Sequence, residues 1–334
     1  MVTVSGRGVR LRSWAAGWLG GLAYAGGIAL ARWTWSLEVV RLRVSPPGLP
    51  PEWDGIRVAH LSDFHAGARG VPLRLLRSAR AAALSFAPDI IALTGDFFDN
   101  GVPVDVEGLW AGWPEDTVVV AVLGNHDFRG AADAPAGIER VLRDAGVVVL
   151  RNAALEVRLR GRRGWIVGVD DPFTLQADEV AAFAEAPEDD AVLLYLAHSP
   201  SIDATVPVGR AFVALSGHTH AGQIRLLPSG RIPFVHVLRR LRGTPPRRDP
   251  PVYRGVHWLR GMIVIISEGI GVSRVPLRFR TRPQVVLIEF AHDQRLDVPC
   301  DDPRRYVTQV GRERGLADVV QRFLEAAHRP TARH

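Results

Sequence analysis

The sequence has no lysine: all 41 of its basic residues are arginine. Alongside 33 Gly, 24 Pro and abundant Ala, this points to the codon bias of a GC-rich genome rather than to anionic partners. Basic patches interleaved with aromatics are also missing. The net charge of +6 therefore gives no reason to expect nucleic acid as a partner. A single cysteine, Cys300, excludes any intramolecular disulfide and leaves the redox compartment open. Internal repeats are absent. What is present is apolar material, 47% of 334 residues, enough for one sizeable globular domain with something short at an end.

Charge is missing from Ser13 to Ala31, with Arg7, Arg10 and Arg12 before the run and Arg32 after it. The run approaches the roughly 20 residues that span a bilayer, and Trp14, Trp18, Trp33 and Trp35 bracket it as interfacial aromatics do. Residues 13–31 are therefore expected to form an apolar helix and a single N-terminal membrane anchor. A cleaved secretory signal and a buried amphipathic helix are the competing readings. The side of the membrane stays open, because Arg32, Arg41 and Arg43 weaken the vote of the upstream arginines. The expected organisation is an anchor or signal segment at 1–44, a stiff Pro-rich linker at 45–55, the main domain at 56–292 and a C-terminal extension with a helix at 293–334.

Within the main domain, strands and helices alternate. Strands are expected at Ile56–Leu61, Ile90–Thr94, Val118–Leu123, Val147–Leu150, Ala154–Arg160, Trp165–Val169, Ala191–Ala197, Ala211–Ser216, Ile224–Leu227, Met262–Ile266 and Val285–Phe290. Helices are expected at Leu73–Phe86, Ala136–Ala145 and Asp178–Ala186, and within Val307–Ala327. The stretch Pro228–Trp258 has no clear period and reads as a loop over the site or a segment without regular structure. Such alternation predicts an α/β architecture of sheets covered by helices.

Polar residues fall just after the strands. LSDFHAG supplies Asp63 and His65, LTGDFFDN supplies Asp96 and Asp99, and LGNHDF supplies Asn125 and His126. LAHSP adds His198, and LSGHTHAG adds His218 and His220. Loops at the carboxyl ends of strands are where α/β folds build their sites. In an extended D-x-H or H-x-H segment the two outer side chains share a face. Mixed imidazole and carboxylate ligands suit Zn, Fe, Mn or Co better than Ca.

The ordered set D-x-H, G-D-x-x-D, G-N-H-D, H and G-H-x-H strongly resembles the calcineurin-like metallophosphoesterases, over about Arg57–Phe290. SEGIGVSRVPLRF and GHTHAGQI resemble the membrane-associated bacterial branch. The resemblance implies a four-layer αββα sandwich with two mixed sheets and two divalent metal ions, Mn, Fe or Zn. It assigns Asp63, His65 and His220 to the first metal, Asn125, His198 and His218 to the second, and Asp96 as the bridge. His126 would be the catalytic histidine and Asp99 its orienting carboxylate. The implied reaction is hydrolysis of a phosphodiester or pyrophosphate by metal-activated hydroxide, without a covalent intermediate.

Asn100 stands where protein-phosphatase relatives carry arginine, which points away from phosphoprotein substrates. A lipid-linked substrate, such as a nucleotide-linked acylated sugar, is expected from the anchor, with Ile232–Trp258 as its apolar groove. The alternatives are a general envelope phosphodiesterase or phosphomonoesterase, or a non-catalytic scaffold that keeps the fold. Arg69, Arg129, Arg274 and Arg278 lie near the motif loops and are candidate phosphate contacts. His60 reads as a sheet residue, His236 and His257 as loop residues, Asp127 as a partner of loop backbone, and Asp170-Asp171-Pro172 as an ordinary turn.

Overall fold

Short apolar runs such as Ile90–Thr94 and Val118–Val122 show no alternation because both of their faces are covered. The computed structural model describes residues 34–101, 108–202, 205–225, 252–293 and 302–314. Thirteen strands are described there: β1 Glu38–Val44, β2 Arg57–Leu61, β3 Ile90–Thr94, β4 Val118–Val122, β5 Val148–Val149, β6 Ala153–Leu159, β7 Arg162–Gly168, β8 Val192–Leu196, β9 Ala211–Ser216, β10 Gly255–Leu259, β11 Met262–Ile266, β12 Gln284–Phe290 and β13 Val307–Arg314. The helices are α1 Leu73–Ser85, α2 Ala134–Asp144 and α3 Glu179–Ala184.

The strands form two mixed sheets, one ordered β13-β1-β12-β2-β3-β4-β5 and the other β10-β11-β9-β8-β7-β6. Between them lies one apolar layer, in which Val58, Ile90, Val120 and Ile288 face Ile166, Leu194, Val213 and Ile263. On the opposite face of the first sheet, Ala59, Ile91 and Val119 pack with Leu76 and Ala79 of α1 and Ile138 and Leu142 of α2. On the outer face of the second, Val167, Tyr195 and Val264 pack with Ala182 and Phe183 of α3. Period-two alternation in the strands therefore sorts apolar side chains into three layers, and the result is an α-β-β-α stack.

Strands β2, β3 and β4 run parallel in the first sheet, as do β7, β8, β9 and β11 in the second. Their carboxyl ends deliver the polar loops. Parallel pairing is thus what gathers five distant motifs at one edge.

The flanks differ from expectation. Residues 38–44, grouped by sequence with the N-terminal segment, form β1, which pairs parallel with β12 and antiparallel with β13. EVVRLRV alternates, so Val39 is buried on one face and Val40, Leu42 and Val44 on the other. The expected linker is also built in: Trp53 is fully buried, edge-on to Phe212 at 6.2 Å. Val307, where a helical region was expected to begin, starts β13, and residues from 315 onward lie outside the described residues. Of the strand expected at Ile224–Leu227, only an Ile224–Phe279 bridge is described.

The expectation of a single membrane anchor is corrected. Among the described residues no helix is long and apolar enough to cross a membrane, and the span expected at residues 13–31 lies outside them.

His60 on β2 is a core residue, its Nε2 2.8 Å from Thr94 Oγ1. Burial lowers its pKa from 6.5 to about 3. It stays neutral in the folded chain while the unfolded chain protonates below pH 6.5, so its contribution falls as pH drops from 6.5 towards 3. His60→Gln should remove a stability slope of up to about 1.4 kcal/mol per pH unit in that window. Urea unfolding of both chains between pH 7 and 5 measures it, and equal slopes would contradict the assignment.

Candidate metal centre

Five of the motif residues sit in left-handed backbone: Asp63, His65, Asp96, His218 and His220 have φ between 46° and 67°. L-residues take up that region at a cost of about 1–2 kcal/mol each, so the loops need compensating bonds. They have them. The His218 amide donates to both carboxylate oxygens of Asp63 at 3.1 Å, and the His126 amide donates to Asp96 Oδ1 at 2.7 Å. Gly124 and Gly217 are required by close approach. A Cβ on Gly217 would collide with Ser62 Oγ and Asp63 Oδ2, and one on Gly124 with the Asp96 amide and carboxylate.

The side chains converge in two groups. In the first, Asp63, His65, Asp96 and His220 bring ligand-type atoms within 4.8 Å of one another, all buried. His220 Nε2 lies 3.1 Å from His65 Nε2 and 3.2 Å from Asp63 Oδ1. In the second, His218 Nδ1 meets Asn125 Oδ1 at 2.8 Å. Asp96 Oδ2 stands 3.4 Å from both His65 Nε2 and His198 Nε2, so this one oxygen lies between an imidazole of the first group and His198. Bonds of about 2.1 Å at tetrahedral or octahedral angles put neighbouring ligand atoms roughly 3.0–3.4 Å apart, the spacing found here.

The electrostatics ask for a cation. Burial pushes the Asp63 carboxyl up, and the Asp96 charge adds to this. Burial opposes Asp96 too, but His198, His65 and His126 outweigh it and hold that carboxyl well below the usual range. Burial disfavours a charged His198, yet Asp96, Asp63 and Asp171 raise its pKa well above 6.5. His198 Nε2 is buried without a hydrogen-bond partner, 3.4 Å from Asp96 Oδ2. An orphaned buried nitrogen beside a carboxylate fits a divalent ion, which would satisfy both at once.

His126 adjoins this cluster, its ring 4.6 Å from that of His65. Its Nδ1 lies 3.2 Å from Asp99 Oδ1 and 3.0 Å from Arg129 Nη1. Burial lowers its pKa to about 4.

The candidate arginines part company. Arg129 is half-buried against His126, whereas Arg69 and Arg274 are exposed on their loops. Arg278 is fully buried and cannot meet a substrate. Its guanidinium donates to the carbonyls of Glu268 at 2.8 Å and Gly271 at 2.6 Å, and faces His220 Nδ1 at 3.2 Å. His257 lies on β10, not in a loop. Asp170 is the bidentate partner of Arg151, and Asp171 is a buried carboxylate that accepts from the Ser199 amide at 3.2 Å. These two exceed an ordinary turn, and nothing in their local sequence distinguishes them from one.

Gln223 lies within GHTHAGQI, which does not by itself show what its side chain does. Its side-chain Nε2 donates to the Val275 and Leu277 carbonyls at 2.7 and 3.1 Å, and its Oε1 accepts from the Ser273 amide at 2.9 Å. Asp127 also does more than bond to its own loop. Its carboxylate accepts from the amides of Asp96, Gly124, Phe97 and Phe98, at 2.8, 2.8, 3.0 and 3.4 Å, joining the loops after β3 and β4. Asp127→Ala would leave four buried donors unsatisfied and should cost about 3 kcal/mol or more in denaturant unfolding of the metal-free chain. A loss below about 1 kcal/mol would show that the four bonds contribute little.

The geometry has counterparts. Residues 56–222, half the chain, match the family model described as calcineurin-like phosphoesterase. The chain is 29% identical to phosphodiesterase YaeI of Escherichia coli, over 70% of this chain and 81% of that protein. It is 28% identical to the uncharacterised metallophosphoesterase YkoQ of Bacillus subtilis, over 71% of this chain and 84% of that protein. A second Bacillus subtilis protein, the uncharacterised metallophosphoesterase YkuE, is 26% identical, over 80% and 91%. With a buried Asp/His cluster suited to divalent ions, the chain belongs to the calcineurin-like phosphoesterase family and is a metal-dependent phosphoester hydrolase.

Proposed function

We propose that the chain hydrolyses a phosphodiester at a two-metal centre. Asp63, His65 and His220 would hold one ion, Asn125, His198 and His218 would hold the other, and Asp96 would be shared by the two. The observation that carries this reading is the position of Asp96 Oδ2, 3.4 Å from an imidazole nitrogen of each group. When bound, the ions supply Lewis acidity to the phosphoryl group and acidify the attacking water. Asn125 contributes a neutral ligand, which keeps the centre more electrophilic than a further carboxylate would.

The residues around the ions set the rest. Asp99 orients His126 through Nδ1 and leaves Nε2 for the leaving oxygen. Arg129 competes for the same Nδ1, and one nitrogen cannot donate to Asp99 and accept from Arg129 at once. An incoming phosphate resolves that conflict by drawing the Arg129 guanidinium off the ring. Arg129 is therefore the phosphate contact with most support, and Arg69 and Arg274 are more distant reserves. A diester is preferred over a pyrophosphate because a relative spanned along most of its length is named a phosphodiesterase. A lipid-linked substrate gains no support, since most of the segment expected to form its groove lies outside the described residues.

Purified full-length chain should bind Mn and turn over bis-p-nitrophenyl phosphate. Asp96→Ala should lose both metal and turnover. His126→Ala should keep its metal and lose turnover by roughly 10²–10⁴-fold. Metal analysis alongside the assay checks this, and an Asp96→Ala chain that holds metal at the wild-type level would contradict the bridging role.

A further inference from the structure

We propose that Ser273 is a catalytic residue that hydrogen-bonds the leaving-group oxygen beside His126; the inference rests on the two-metal reading above. Asp99 and Arg129 occupy the Nδ1 side of the His126 ring, so a leaving group meets Nε2. Ser273 Oγ lies 3.4 Å from that nitrogen. The contact is long for a hydrogen bond and leaves the hydroxyl ready to turn to a third polar atom. Ser273 is also half-exposed, between the buried His126 and the exposed residues Arg274, Val275 and Pro276.

The position is held firmly. Gln223, four residues after the Asn125 partner His218's neighbour Thr219, fixes the Ser273 amide and the carbonyls of Val275 and Leu277 with one side-chain amide. The main chain of Gln223 adds the Phe279 amide at 3.0 Å and the Thr281 hydroxyl at 2.6 Å. The loop carrying Ser273 is thereby tied to the loop carrying His218 and His220, so hydroxyl and metal ligands keep a common frame.

In the step itself, a bond forms between the water oxygen and phosphorus while the bond from phosphorus to the leaving oxygen breaks. Both electrons of the broken bond stay on the leaving oxygen, which ends with one of the water's protons. Ser273 keeps its own proton and donates a hydrogen bond to the charge growing on that oxygen. The benefit is larger for a poorer leaving group, which carries more charge in need of stabilisation.

The test compares methyl p-nitrophenyl phosphate with methyl phenyl phosphate, using full-length wild type, Ser273→Ala and Ser273→Thr, each checked for metal content. Ser273→Ala should lower kcat about tenfold or more on the phenyl ester and distinctly less on the p-nitrophenyl ester, with metal unchanged. Ser273→Thr, which keeps the hydroxyl, should recover most of the loss. Equal losses on the two esters, or none, would overturn the role of Ser273 while leaving the phosphoesterase reading intact. A metal-loaded wild type that cleaves neither ester would sink that reading, and the Ser273 proposal with it.

Discussion

A carboxylate taken out of water must be surrounded by positive charge or by donors, and Asp96 has been given both. Its Oδ1 receives the His126 amide, its Oδ2 faces imidazoles from the two sheets, and its own amide is gripped by Asp127. His65 comes from the first sheet and His198 from the second, so this side chain is one of those at which the two halves of the sandwich meet chemically. The apolar layer between the sheets sets their separation; Asp96 and its partners are what that separation allows.

Strain and compensation explain why the site lies in loops and yet is rigid. Left-handed backbone at Asp63, His65, Asp96, His218 and His220 bends the chain just after β2, β3 and β9. No such turn would persist on its own. The Asp63 carbonyl takes the Gly271 amide at 2.7 Å, and the Asp96 carbonyl takes the His65 amide at 2.9 Å, so one strained residue props another. Buried Arg278 closes the ring, binding the carbonyls of the loop that follows β11 while touching His220. Its burial removes it from substrate binding and gives it a part in holding His220 in place.

How much of this could be read beforehand depends on range. The motif residues were legible because each pair is close in sequence and each follows an apolar run, and β3, β9 and β11 matched their runs end to end. Partners far apart in sequence were not. Asp127 reaches back 31 residues to the Asp96 amide, Gln223 forward 50 to Ser273, and Arg278 back 58 to His220. Each lies within a motif, GNHD, GHTHAGQI or SEGIGVSRVPLRF, but the motif does not show which distant group its side chain bonds. The strands at one end of the first sheet failed for another reason: β1 carries Arg41 and Arg43 and follows an uncharged N-terminal run, so it read as part of that segment. β13, rich in Arg and Gln, shows its strand character only through pairing with β1.

The central claim is that one carboxylate oxygen organises two metal ions. Anomalous diffraction from crystals of the Mn-loaded full-length chain tests it directly. The account predicts two peaks about 3.5–4 Å apart, with Asp96 between them and Asn125, His198 and His218 around the second. A single peak among Asp63, His65 and His220, with the Asn125 side empty at saturating Mn, would contradict it.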